Sequence, residues 1–257
     1  MGNQLFIACK DGDILEARRL ITGGLDVNSL IHDATPLHWA CHYKKIEIVK
    51  LFIELGANIN AKNKEGNNPL HISCCQNSIE IMNYLILNGS DIHAENNEGI
   101  TAMHIACQYH FIESFKLLII KGSSIDLKDK SGNTPLHIAC TSNKDTIFEY
   151  LIDVGADLSA VSNDGSSLLH CACQNNSVKA ILFLISCDAN INALNLLNQT
   201  PFHDACSFGH IEAAHLMVIS GVDVGIIDNV VFYFIYCLII ITIMIIITIT
   251  ITIKKTI

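Results

Sequence analysis

Clusters of basic residues are missing from this chain. Its 16 Lys and Arg are scattered among 25 Asp and Glu for a net charge of -9, and setting Lys254 and Lys255 aside leaves -11 for the rest. A surface that acidic repels phosphate backbones, so nucleic acid is excluded as a partner. The short strings that carry reaction chemistry are missing too: there is no glycine-rich phosphate loop, no Gly-x-Ser-x-Gly elbow and no protein-kinase set. No catalytic residue, cofactor site or small-molecule substrate is therefore expected. A secretory signal is lacking and the cysteine total, 11, is odd. Both fit a reducing compartment rather than a disulfide framework, and a cytoplasmic location. Met1-Gly2 is followed by Phe6 where a myristoylation signal has Ser or Thr, so no lipid is expected there.

What is present is a period. His38, His71, His104, His137, His170 and His203 each lie 33 residues from the next, too regular for catalytic groups converging in one compact fold. Each opens the same kind of string, most fully in Thr134-Pro135-Leu136-His137-Ile138-Ala139-Cys140. The threonine suits an N-cap, the proline sits at the first helical position where its missing donor costs nothing, and a buried face follows. Downstream, Ile147, Phe148, Leu151 and Ile152 recur at helical spacing from Thr146 to Val154 and stop at Gly155, a left-handed cap. Asn163-Asp164-Gly165 then supplies turn chemistry. One unit is helix, tight turn, helix, hairpin-like turn, and stacked units bury a core none could bury alone.

These strings resemble the ankyrin repeat family, with its period of about 33 residues and its T-P-L-H-x-A motif. Thr35-Pro36-Leu37-His38-Trp39-Ala40-Cys41 and Thr134 to Cys140 match almost fully, and Thr200-Pro201-Phe202-His203-Asp204-Ala205-Cys206 nearly so. Asn68-Pro69-Leu70-His71 and Thr101-Ala102-Met103-His104 depart modestly, and Ser167-Leu168-Leu169-His170 has lost the proline. The resemblance covers residues 3–228 and implies an all-α repeat solenoid. Its domain would hold about seven units: an N-terminal cap at 3–34, then 35–67, 68–100, 101–133, 134–166, 167–199 and 200–228. It also implies that the repeated histidines hydrogen-bond the turn and the next unit. A monomeric repeat domain is expected.

The repeated cysteines Cys41, Cys74, Cys107, Cys140, Cys173 and Cys206 stand three residues after each histidine, where a helix faces the core, and read as small apolar fillers. A metal reading of His-x-x-Cys fails on distance, because stacked helices sit roughly 10 Å apart. Glu47, Glu80, Glu113 and Glu212 recur near second-helix starts, where a carboxylate suits the dipole. Between the helices Asn77, Asn143, Asn176 and Gly209 tolerate a left-handed backbone, whereas Lys44 and His110 are expected to be mildly strained. The unit at 167–199 collects departures: no proline, Cys171 on the core side, Asp188 at the helix cap, and Asn198 where Gly66, Gly99, Gly132 and Gly165 stand elsewhere. The stack is expected to open there first.

The phase breaks after Asp228. Residues 230–253 form a C-terminal hydrophobic segment of 24 residues without a charge, 11 of them isoleucine. As a helix of about 36 Å it is long enough to cross a membrane as a tail anchor. Its flanks are inverted for the positive-inside rule, the Ile/Thr alternation from Ile247 to Ile253 is equally β-prone, and the composition also matches translated AT-rich non-coding sequence. A transmembrane anchor, a gene-model artefact and a buried structural role stand as the three readings.

Function is expected at the positions the scaffold leaves variable. The family resemblance places partners at the hairpin tips and at the exposed end of each first helix, on the concave face. Those positions hold His42, Tyr43, Gln76, Tyr109 and Phe208, and the tip residues Leu194, Leu196 and Leu197 where other tips are mainly polar. Exposed aromatics and leucines suit hot spots. The expectation is a non-catalytic scaffold that binds a protein partner and is tethered to a membrane through 230–253. Two alternatives stand beside it: a fragment of an ankyrin-bearing channel or acyltransferase, for which no Asp-His-His-Cys string is found, or a soluble adaptor with an artefactual tail.

Overall fold

The computed structural model describes residues 2–141, 145–228 and 242, the side chain of Asp145 aside. Asn143 and, but for Thr242, the apolar run 230–253 lie outside the described residues. Among the described residues the regular elements are all helices, and none is long and apolar enough to cross a membrane. The chain divides into two compact units, Met1–Lys130 and Ser131–Ile257.

The first unit holds α1 (Gly2–Asp11), α2 (Ile14–Thr22), α3 (Pro36–His42), α4 (Ile46–Glu54), α5 (Pro69–Cys75), α6 (Ile79–Leu87), α7 (Ala102–Gln108) and α8 (Ile112–Ile120). The odd-numbered helices pack on one another in sequence, as do the even-numbered ones, and each pair packs within itself. Leu5, Leu37, Leu70 and Met103 run through the first layer, and Phe52, Leu85 and Leu118 through the second, all at most 1% exposed. The second unit repeats the scheme with α9 (Pro135–Thr141), α10 (Asp145–Asp153), α11 (Leu168–Gln174), α12 (Val178–Ser186), α13 (Pro201–Ser207) and α14 (Ile211–Ile219) around Leu136, Leu169, Phe202, Leu151, Ile181 and Met217. The α10 helix begins one residue earlier than predicted.

Each first helix starts as the sequence dictates. Thr35, Thr101 and Thr200 hold extended backbone before the first turn, and proline occupies the opening of α3, α5 and α13. The turns between paired helices need a left-handed residue, and Lys44, Asn77, His110 and Asn176 adopt φ of 57°, 51°, 58° and 52°. Asparagine does more there than tolerate the conformation. Asn77 Oδ1 accepts from Ser114 Oγ at 2.8 Å, and Asn176 Oδ1 accepts from the Ala213 N–H at 3.1 Å, so each turn is tied to the following helix pair. Lys44 and His110 carry the backbone cost, about 1 kcal/mol, as expected from the sequence.

The tips of the long turns form a ladder within each unit. In the first, the amides of Lys64, Asn97 and Lys130 donate to the carbonyls of Asp33, Glu65 and Glu98 at 3.1, 3.0 and 2.9 Å. In the second, Asn163 donates to Ser131 and Leu196 to Asp164, both at 2.8 Å. This approach explains the tip glycines. A Cβ on Gly132 would lie 2.5 Å from the Asn163 amide nitrogen, and φ there is +81°.

Candidate functional site

The repeated histidines are committed to the scaffold. The Thr35 N–H donates to His38 Nδ1 at 3.2 Å, and His38 Nε2 faces the Asn67 carbonyl at 2.9 Å. His71 is held between the Asn68 N–H and the Ile100 carbonyl, and His170 between the Ser167 N–H and the Gln199 carbonyl. A carbonyl can only accept, so Nε2 carries the proton; a backbone N–H can only donate, so Nδ1 keeps its lone pair. Both nitrogens of these three rings are thereby occupied by protein groups. Burial pushes the pKa of His38, His71, His170 and His203 below the ordinary imidazole value. Within each unit the rings sit 33 residues apart on successive helix starts.

The cysteine column is equally structural. Cys41, Cys74, Cys107, Cys140, Cys173 and Cys206 are at most 1% exposed, and burial pushes the thiol of Cys9 up to about 12. Such thiols are poor nucleophiles.

What remains outside is a set of variable side chains. In the first unit His42 and Tyr43, at the end of α3, join an aromatic cluster that sequence reasoning missed. Phe6 meets Trp39 edge to face at 4.9 Å and Tyr43 at 5.9 Å, while His32 meets Phe6 at 5.4 Å. The Trp39 indole N–H donates to the Ile31 carbonyl at 2.8 Å, fixing the ring. Tyr43 is therefore half-buried rather than a freely exposed aromatic. Gln76, half-buried as well, donates its amide to His42 Nδ1 at 3.2 Å. Tyr109 is 52% exposed and stacks on Phe111.

In the second unit Phe208 is 60% exposed and stacks on His210, whose Nε2–H donates to the Gln174 carbonyl at 2.9 Å. Leu194, Leu196 and Leu197 are brought together on one tip. Asn195 organises it: its buried Oδ1 accepts from the amides of Leu197 and Gln199 at 2.9 and 3.0 Å, which leaves the three leucines 50%, 73% and 52% exposed. Two further residues with the same character, Val161 and Ile227, were not singled out from the sequence. The signal existed, since each lies 33 residues from Leu194.

One buried charge was also missed. Asp204 occupies the variable position of its motif, where three of the five earlier copies have Ile72, Ile105 and Ile138 and the others Trp39 and Cys171. It is 3% exposed and accepts from Gln174 Nε2 at 3.1 Å. Burial pushes its carboxyl up to about 7, against the Gln174 hydrogen bond that favours the charged form. Among the described residues no His, Cys, Asp or Glu cluster could hold a metal ion.

A family model described as ankyrin repeats matches residues 5–96, 70–162 and 155–228. Ankyrin repeat and SOCS box protein 5 from Bos taurus is 40% identical over 65 residues, 25% of this chain and 20% of that protein. The Homo sapiens protein of that name is likewise 40% identical over 65 residues, with the same coverage. Palmitoyltransferase AKR1 from Naumovozyma castellii is 40% identical over 57 residues, 21% of this chain and 8% of that protein. The aligned stretches thus cover a fifth or less of these relatives.

Proposed function

The chain belongs to the ankyrin repeat family, and from that premise we propose that it is a non-catalytic interaction module, holding a protein partner on the variable side chains its repeats leave exposed. The observation that carries the reading is the division of labour along the period. The repeated histidines and cysteines are buried, and His38, His71 and His170 are hydrogen-bonded to the next repeat, whereas Tyr109, Phe208 and the leucine tip stand in solvent. Exposed aromatic and leucine side chains are the residues from which hot spots are built.

The test is proximity labelling in cells with the full chain and with a Leu196→Asp/Leu197→Asp variant. The expected outcome is a reproducible set of labelled proteins that the variant loses while its cooperative melt is unchanged. An identical set from both chains would remove the leucine tip from the reading, and no set above background would remove the reading itself.

A membrane tether through 230–253 belongs to the same proposal, on the strength of 24 uncharged residues. Alkaline carbonate extraction checks it: a tethered chain stays with the membrane pellet, and a chain recovered in the wash is not anchored. The likeness to a palmitoyltransferase supports a second reading, in which these repeats are one part of a larger membrane protein. Sequencing the transcript end separates the two, since further hydrophobic spans would favour the second.

A further inference from the structure

The second unit differs from the first in one register that stacking does not explain. Val161, Leu194 and Ile227 occupy equivalent positions in three successive repeats, and they are 46%, 50% and 65% exposed. In the first unit the same phase holds Lys62, Glu95 and Lys128. Three charged positions have been followed by three aliphatic ones, all partly in solvent. Leu196 and Leu197 extend the apolar stripe at the tip that is bonded to the Asp164 carbonyl.

Beside the stripe lies a groove of about 380 Å³ lined by Leu158, Val161, Leu168, Leu184, Ala189 and Ala193, among others. Val161 belongs to both features, and Ala193 is the chain neighbour of Leu194, so groove and stripe share an edge. Leu168 stands where α3, α5 and α13 open with proline. A concave apolar space of this size accepts an anchoring side chain.

The charge around it is one-sided. Residues 131–228 contain ten Asp and Glu against Lys144 and Lys179, a formal charge of -8, whereas residues 1–130 carry -3. Asp188, exposed, lines the groove itself.

The spacing selects a shape. Successive repeats are about 10 Å apart, the distance between packed helices. An extended peptide covers that distance in about three residues, an odd number, so consecutive contacts would fall on opposite faces. A helix covers it in seven residues at 1.5 Å each and returns to the same face within about 20°. We infer that this surface docks a basic amphipathic helix of a partner protein, with apolar side chains at heptad spacing on Val161, Leu194 and Ile227, an anchor in the groove, and Lys or Arg towards the acidic surroundings. The inference rests on the interaction-module reading and specifies its partner.

The test titrates the full chain, followed by fluorescence anisotropy, with a labelled lysine-rich helical peptide bearing leucine every seven residues. Controls are a scrambled peptide of the same composition and one with glutamate in place of lysine. The expected result is at least tenfold tighter binding of the heptad peptide than of either control, weakened by salt. The same peptide should lose at least tenfold in affinity to Val161→Lys/Leu194→Lys and to Leu194→Asp, with melting temperatures unchanged. Both substitutions are needed, since a lysine alone would also alter the charge match. Equal binding of heptad and scrambled peptides, or full affinity in both variants, overturns the inference. If those variants fail to bind peptide yet keep every protein labelled by the wild-type chain in cells, the inference is overturned and the module reading survives.

Discussion

At the scale of single residues, the threonine of the repeated string is set by what its hydroxyl can do. It accepts from the histidine backbone N–H, as at Thr101, and its own proton can turn towards histidine Nδ1, 2.9 Å away at His104. Asn68 replaces it in one copy and cannot do both. Its Oδ1 lies 2.6 Å from His71 Nδ1, acceptor against acceptor, and its Nδ2 is buried without a partner. Turning the amide over would supply Nδ1 with a donor but deprive the His71 N–H of its acceptor. Asn68→Thr is expected to stabilise the chain by about 1 kcal/mol, read as a rise in the urea midpoint at unchanged slope. Asp204 sets a pH dependence of the opposite sign to that of the histidines. Its folded pKa, about 7, lies above the unfolded carboxylate value, so its stabilising form is fully present below that unfolded value and is lost as pH rises through 7. The histidines have folded pKa values below the unfolded one, so their contribution is present above about pH 6.5 and is lost as pH falls. Asp204→Ile, which restores the residue of three other copies, should raise the melting temperature clearly at pH 8 and little at pH 4. A gain independent of pH would show that the carboxyl is not buried in its neutral form.

At the scale of elements, the tip glycines are constrained by the neighbouring tip and the glycines that end the second helices are not. Gly132 and Gly155 both have positive φ, +81° and +87°, but a Cβ on Gly155 meets nothing within 4 Å while one on Gly132 strikes the Asn163 backbone. Gly155→Ala is expected to cost about 1 kcal/mol from backbone conformation alone, and Gly132→Ala about 2 kcal/mol more. Chemical denaturation of both variants measures the difference, and equal losses would mean that the tips are not in contact. The paired helices, their starts at Thr-Pro and their left-handed links were legible in the sequence because each depends on residues within one turn of the chain. The aromatic cluster of Phe6, Trp39 and Tyr43 was not, since it joins side chains from helices separated by a loop. Asp204 was visible as a letter, but its burial follows from packing between α11 and α13.

At the scale of the whole molecule, a repeat array is as strong as its poorest neighbour contact. The stretch 167–199 combines Leu168 in place of proline, Asp188 at φ +57° and Asn198 at φ +57° where most other copies have glycine. Hydrogen exchange is expected to release the amides of α12 before those of α6, and Asp188→Gly should slow that release. Matching protection in α6 and α12 would sink the idea. The candidate interface was only half legible at this scale. The leucine tip announced itself as three letters in a row of polar tips, whereas Val161 and Ile227 become part of a surface only when successive repeats are laid side by side. The thiol column has a consequence for experiment. Among the described cysteines, Cys75 and Cys187 are open to solvent and the other eight are sealed, so an alkylating reagent applied to the native chain should mark those two at once. Each of those eight becomes reactive only when its own layer separates, which makes the order of their modification a chronometer, written into the native sequence, of how the molecule comes apart.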